Sequence, residues 1–271
     1  SFTGGNPLLY PQFTDIYREA SDRGFGTTIL GNPTPIGEIE KLLGIAKPSY
    51  FQISLEGLED HNDHIRGRGH FQRSLGFLDQ LRSLGIYTMV MLTLSRDNIH
   101  QVLPLAEVLR DRTDFFTFNR LSTVGEGARL QMADPEAFHT FLRQYDAASQ
   151  RNPVLGPKDN LLNIVRHEDG RKPFGGCTGY GCGAAFNFVA LLADGEVHAC
   201  RKFPSRIGHI RQNRLMDIYR SKLARQYRAG STECSGCRLN TVCRGCLAIT
   251  HSYGLDVFKE KDPYCFMPPE A

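Results

Sequence analysis

Short apolar runs alternate with amphipathic stretches along the first 130 residues. The runs at 27–30, 50–55, 86–94 and 115–121 are rich in β-branched and large apolar residues and read as strands, 86–94 most strongly. Between them, 11–23, 36–43, 70–84 and 98–110 place apolar residues at helical spacing. Residues 1–3 read as a strand stub running into Gly4-Gly5-Asn6-Pro7. Strand–helix alternation of this kind implies parallel strands joined by right-handed crossovers, hence an α/β sheet or barrel. Two further helical patterns, 134–150 and 160–166, lead into a region of different texture. There, 186–192 and 196–200 flank Asp194-Gly195, which suits a tight primed turn and predicts a β-hairpin. Residues 215–227 predict one more helix, and the remainder is loop-rich.

All eight cysteines lie in this last region, at Cys177, Cys182, Cys200, Cys234, Cys237, Cys243, Cys246 and Cys265. Disulfides are one reading, but they are densest in small secreted domains that cannot build a core. At 271 residues and 41% hydrophobic content this chain can build one, and it opens on no charged-then-apolar signal segment. Cys234-x-x-Cys237 and Cys243-x-x-Cys246 instead have the spacing of metal-ligand pairs. The expected setting is a cytoplasmic one with reduced thiols. The longest apolar run, 86–94, falls far short of the roughly 20 residues that span a bilayer, so no membrane partner is expected. The formal charge of +3 counts thiols as neutral; two oxidised four-iron centres of about −2 each bring it to about −1. With no basic stripe and interleaved aromatics, a nucleic-acid partner is not expected either. Residues 214–228, rich in arginine, read as a solvated helix face.

The string Cys182-x12-Gly195-x4-Cys200, then Cys234-x2-Cys237-x5-Cys243-x2-Cys246, then Cys265 resembles the SPASM domain that follows the barrel in many radical S-adenosylmethionine (radical SAM) enzymes. One interval departs: Arg244-Gly245 stand where the family usually has three residues. The resemblance implies one auxiliary 4Fe–4S cluster on Cys182, Cys200 and Cys246, completed by Cys177, and a second on Cys234, Cys237, Cys243 and Cys265. From spacing alone, two structural zinc ions remain open, because tetrahedral four-cysteine zinc uses the same intervals.

Upstream segments are similar to the same family. Thr3-Gly4-Gly5-Asn6-Pro7 resembles its Gly-Gly-Glu-Pro segment, with Asn6 in place of the glutamate. Gln52-Ile53-Ser54-Leu55-Glu56-Gly57 and His61-Asn62-Asp63-His64-Ile65-Arg66-Gly67 resemble the next long signature. Gly31-Asn32 occupies the place of a Thr-Asn-Gly turn, and Val124-Gly125-Glu126-Gly127 that of a glycine segment passing the adenine. The resemblance implies S-adenosylmethionine binding by Gly4, Gly5, Asn6, Asn32, Ser54, Arg66 and Gly125. Arg66 has a plainer alternative, a surface ion pair with Glu59 or Asp63.

The implied fold is α/β: a partial (β/α)6 radical SAM barrel lacking its first strand, followed by a small cysteine-rich SPASM domain with a β-hairpin. The expected division is 1–133 barrel, 134–170 helical bridge and 171–271 SPASM domain. The family's Cys-x3-Cys-x2-Cys loop does not occur in this sequence, so a third 4Fe–4S cluster is expected on an N-terminal segment preceding it, without which the chain is not expected to be active alone. The sulfatase-maturating branch places aspartate where Arg201 follows Cys200, so that chemistry is set aside. The stretch 191–203 and the phrase Phe118-Asn119-Arg120-Leu121 look more like maturases of ribosomally made peptides, in the branch associated with selenocysteine- or cysteine-containing peptides. The resemblance therefore implies hydrogen abstraction from a leader-bearing peptide, net oxidation such as thioether formation, and a reductant such as flavodoxin or ferredoxin. A non-catalytic zinc- or cluster-binding scaffold, or an electron-transfer protein, is the alternative.

Overall fold

The computed structural model describes residues 1–268. It divides into two compact units: Ser1–Asn119 with Ala147–Gly156, and Arg120–Asp146 with the chain from Pro157 onward. Among the described residues no helix is long and apolar enough to cross a membrane.

The first unit is built on a four-stranded sheet, β1 (Thr28–Leu30), β2 (Tyr50–Ser54), β3 (Thr88–Leu94) and β4 (Phe115–Arg120), in that order. β1 and β2 run parallel with Leu30 opposite Gln52, and β2 and β3 run parallel with Ser54 opposite Met91. Alternate positions along these strands carry the large apolar side chains. Ile29, Phe51, Ile53, Val90, Leu92, Phe116 and Phe118 are accordingly buried. The crossovers are α1 (Phe13–Asp22), α2 (Ile36–Leu43), α3 (Glu59–Arg66), α4 (His70–Ser83) and α5 (Val102–Leu109). Single-residue parallel bridges extend the sheet at both edges, Phe2 beside Ile29 and Leu155 beside Phe116.

The expected strand at 1–3 is thus one bridging residue, and the pairing at Leu155 lies where the sequence pattern predicts no strand. Between Pro153 and the Gly156-Pro157 pair, the segment is too short to show a period. α3 is likewise absent from the sequence pattern, because Ile65 is its one large apolar residue and no hydrophobic stripe forms.

A buried polar knot holds α3 against α4. Asn62, fully buried, donates to Nδ1 of His70 at 3.1 Å, so that nitrogen is the acceptor and the ring is neutral. Burial, and then the charges of Arg66 and Arg73, depress the His70 pKa below its ordinary value. A neutral folded histidine facing a protonated unfolded one loses stability as pH falls from the ordinary value near 6.5 toward the depressed one. Thermal melts should therefore show this unit weakening from pH 7 to pH 5, and His70→Gln should flatten that slope. An unchanged slope in the variant would remove His70 as the cause.

In the second unit, α6 (Pro135–Ser149) and α7 (Leu162–Glu168) precede an antiparallel sheet of β5 (Ala190–Leu191), β6 (Glu196–His198) and β7 (Arg206–His209). The expected hairpin is β5–β6, and Gly195 makes its turn at φ +100°, a backbone conformation that glycine adopts freely. β7 has a single large apolar residue, Ile207, and gives no alternating signal. The helix expected at 215–227 is two helices, α8 (Leu215–Arg220) and α9 (Lys222–Ala229). Ser221 between them is extended, and its hydroxyl caps α9 by accepting from Ala224 N at 3.1 Å. α10 (Leu247–Ser252) completes the unit. Val197, Phe203, Ile207, Ile218, Tyr227 and Leu247 form its core, with Cys182, Cys200 and Cys246 packed against it.

Candidate functional site: a loop edge and two four-thiol centres

Parallel strands bring the loops that follow their carboxyl ends to one edge, where α/β folds bind ligands. Gly4, Gly5 and Asn6 follow the Phe2 bridge, Asn32 follows β1, Ser54 ends β2, and Arg66 ends the helix after β2. The first of these loops touches the second. Asn6 donates to Thr34 Oγ1 at 3.4 Å, and that hydroxyl donates to the Asn32 carbonyl at 3.1 Å. Gly4 and Gly5 have φ of +104° and +71°, leaving the main chain bare of Cβ atoms at this edge.

Arg66 does form an ion pair, though with neither expected carboxylate. Its Nε and Nη2 donate to Glu56 Oε1 at 3.0 and 2.5 Å. Glu59 is occupied by Gln72, while Asp63 caps the start of α4 by accepting from Gly69 N and Phe71 N. Glu56 is itself fixed: its N–H donates to Asn62 at 3.1 Å and its carbonyl accepts from Asn98 at 2.9 Å. The guanidinium is thereby tethered to the loop that follows Ser54. Gly125 opens a 3-10 turn, Gly125–Arg129, with φ +56°, and belongs to the second unit.

The eight thiols are free and fall into two groups of four. Cys234, Cys237, Cys243 and Cys265 line one cavity of about 330 Å³, its open mouth included, together with Leu239 and Asp262. In the other group, burial pushes the Cys182 thiol up to about 12, and the nearby Cys246, Cys200 and Cys177 push the same way. Burial likewise raises Cys234 to about 11, helped by Cys265 and Cys237. Thiols so desolvated and crowded ionise together only against positive charge. That donor chemistry fits a metal centre in each group. Among the described residues, no three His, Cys, Asp or Glu side chains converge on the position of one ion. Four thiols can close on a single tetrahedral zinc, with sulfurs about 2.3 Å from the ion, or ring the larger core of an iron–sulfur cluster.

The two groups interlock. Cys182 N donates to the Cys243 carbonyl at 3.1 Å. Gly181, at φ +75°, admits this approach: a Cβ there would lie 2.7 Å from the same carbonyl oxygen. Asn160 accepts from Cys177 N and donates to the Gly245 carbonyl, both at 2.6 Å. Asp262 accepts from Cys246 N at 2.9 Å, and its carbonyl accepts from Cys265 N at 2.8 Å. Arg120 locks Asp262 in place with a fork at 3.0 and 2.6 Å and reaches Asp159 through Nε at 2.7 Å. All three side chains are buried, at 3%, 1% and 9% exposure. Buried ion networks add little stability over apolar packing, so this one is better understood as fixing the ligand loops. Asn160, Asp159, Asp262, Arg120 and Glu56 do not stand out as site residues in the sequence; only their partners, distant along the chain, give them a role.

A parallel α/β unit with a bare loop edge, joined in sequence to a unit built around two four-thiol centres, defines an iron–sulfur protein of a particular class. The profile of the radical SAM superfamily matches residues 1–109, and that of the SPASM iron–sulfur cluster-binding domain matches residues 182–247. The two matched segments are a radical SAM domain and a SPASM domain, the make-up of a radical SAM iron–sulfur enzyme. The chain is 24% identical to an AdoMet-dependent heme synthase of Methanosarcina barkeri, over 98% of this chain and 82% of that protein. It is also 24% identical to the subtilosin biosynthesis protein AlbA of Bacillus subtilis, over 82% of this chain and 48% of that protein. Among solved structures, SuiB of Streptococcus suis superposes with a TM-score of 0.73 at 16% identity, covering 97% of this chain and 66% of SuiB. The present chain thus spans about two thirds of SuiB's length. SuiB has also been solved bound to S-adenosylmethionine and to its precursor peptide SuiA.

Proposed function

We infer that this protein is a radical SAM peptide maturase that modifies a ribosomally made, leader-bearing peptide, with net oxidation such as thioether formation. The observation that carries this reading is the pairing of two four-cysteine groups in a SPASM region with a fold shared over nearly the whole chain with SuiB, a protein solved with its precursor peptide. Functionally, residues 1–133 act as the barrel, 134–170 as the bridge and 171–271 as the SPASM domain. Cys177, Cys182, Cys200 and Cys246 hold one 4Fe–4S cluster; Cys234, Cys237, Cys243 and Cys265 hold the other. With four thiolates each, neither cluster leaves an iron open to substrate, which suits electron transfer or bracing of the peptide pocket. S-adenosylmethionine, when bound and reductively cleaved, supplies the hydrogen-atom abstraction. The chain's own part is to hold it: Arg66 and Ser54 take the methionine and ribose portions, Gly4 and Gly5 offer main-chain groups, Asn6 accepts from the amine, and Asn32 and Gly125 line the rest. Electrons come from a flavodoxin or ferredoxin in the cytoplasm.

A second reading rests on the heme synthase of M. barkeri, which matches 98% of this chain. It makes an iron porphyrin the substrate. The full-length protein, reduced anaerobically with S-adenosylmethionine, should release 5′-deoxyadenosine in response to a precursor peptide, and the peptide should lose the mass of two hydrogens. Release driven by iron coproporphyrin, with the peptide unchanged, would replace the first reading by the second.

A further inference from the structure

Asp262 stands in the wall of the cavity lined by Cys234, Cys237, Cys243 and Cys265. Its side chain is 1% exposed, and four donors meet it. Arg120 Nη1 and Tyr264 N donate to Oδ1, each at 3.0 Å; Arg120 Nη2 and Cys246 N donate to Oδ2, at 2.6 and 2.9 Å. A side chain that only accepts is a carboxylate, and one buried this deeply needs a counter-charge. Arg120 supplies it but divides it, because its Nε holds Asp159 at 2.7 Å. One guanidinium thus serves two carboxylates, and the group keeps a net negative charge. Arg244 shares the cavity wall, yet its Nη donors are aimed at the carbonyls of Arg228, Tyr180 and Cys182.

The carboxylate reaches the thiols because Gly245 makes room for it. Gly245 lies between Cys243 and Cys246 at φ +61°, and a Cβ there would lie 2.6 Å from Asp262 Cβ. Burial, and with it the Asp262 charge, hold the Cys243, Cys234 and Cys265 thiols above their ordinary value.

The geometry points to Asp262 as the residue that tunes the second centre: its buried carboxylate in the cavity wall lowers that centre's reduction potential. The inference rests on the two-cluster reading. An added electron makes a 4Fe–4S cluster more negative, so a carboxylate beside it opposes reduction. The second centre is therefore a weaker electron acceptor than its four thiolates alone would make it.

The test places Asp262→Asn and Asp262→Glu in the full-length protein, in a Cys246→Ser background that retains the second centre and in a Cys234→Ser background that retains the first. Iron is counted, and potentials are read by an EPR-monitored redox titration. Any cluster outside these eight cysteines is common to both backgrounds, so a shift confined to the first background belongs to the second centre. The expected result for Asp262→Asn is retained iron and an electron affinity of the second centre raised about tenfold, a positive shift of about 59 mV for one electron. Asp262→Glu keeps the charge and should keep the parent potential. Retained iron at an unchanged potential in Asp262→Asn overturns the inference, and so does the same shift in both variants, which makes geometry the cause. Loss of the second centre's iron in Asp262→Asn also overturns it, because the carboxylate is then a brace for the ligand turns. Zinc in place of iron in the parent protein overturns the two-cluster reading itself, whereas the other adverse outcomes leave that reading standing.

Discussion

Cys246→Ser should remove about half of the iron held by this chain's eight cysteines, and Cys234→Ser the complementary half. The expectation comes from how the thiols are distributed. Cys246 perturbs Cys182, Cys200 and Cys177, whereas Cys234 shares a cavity with Cys237, Cys243 and Cys265. Loss of one thiolate from a four-thiolate set leaves an iron site that serine oxygen holds poorly, and the whole cubane is lost rather than a single iron. Anaerobically purified parent protein should therefore carry about eight irons on these residues and each variant about four, counted with acid-labile sulfide. The remaining cluster should be perturbed in each case, because Cys182 N rests on the Cys243 carbonyl and Asn160 spans Cys177 and Gly245. An equal and complete loss in both variants would mean one shared centre. About two zincs with no iron would leave a structural metal-binding module.

How much of this is legible in the chain depends on the range of the signal. The strands at 50–55 and 86–94 announce themselves because large apolar residues recur at alternate positions, Phe51 and Ile53 in one and Val90 and Leu92 in the other, all buried. The hairpin is legible because Asp194-Gly195 is a local turn signal. The four-and-four grouping of cysteines enters through resemblance, and the lined cavity supports it independently. The elements that escape have no local signature. α3 is a polar helix set by Asn62, whose role depends on His70 and Glu56; the break at Ser221 lies inside a continuous helical period. Arg120 and Asp262 are 142 positions apart, and neither stands out until the fold places one against the other. The Arg66 partner escapes for a related reason. Glu59 and Asp63 lie on its own helix, seven and three residues before it, but a glutamine and a helix cap claim them, and the pair forms with Glu56 across the loop.

The same competition for partners shapes the other large effect, at the loop edge. Arg66→Met should weaken S-adenosylmethionine binding about ten- to a hundredfold, since a hydrogen bond to a charged group is worth about 1.5–3 kcal/mol. Equilibrium dialysis on the protein with its clusters in place reads this directly. The Glu56 carboxylate occupies Nε and Nη2 of Arg66, at 26% exposure for the arginine side chain and 11% for the glutamate. A planar guanidinium has five donors, so one carboxylate does not exhaust it, and the pair fixes the direction in which the rest of the fork points. Two roles then separate. If Arg66 only anchors the loop after β2, Arg66→Met costs thermal stability and leaves the affinity for S-adenosylmethionine alone. If it holds the cofactor and Glu56 aims it, Glu56→Gln must also weaken binding, by less than Arg66→Met. An amide oxygen still accepts from the guanidinium, but without the charge that makes the hydrogen bond strong. Unchanged affinity in both variants would remove Arg66 from the cofactor site and leave it as the ion pair seen here.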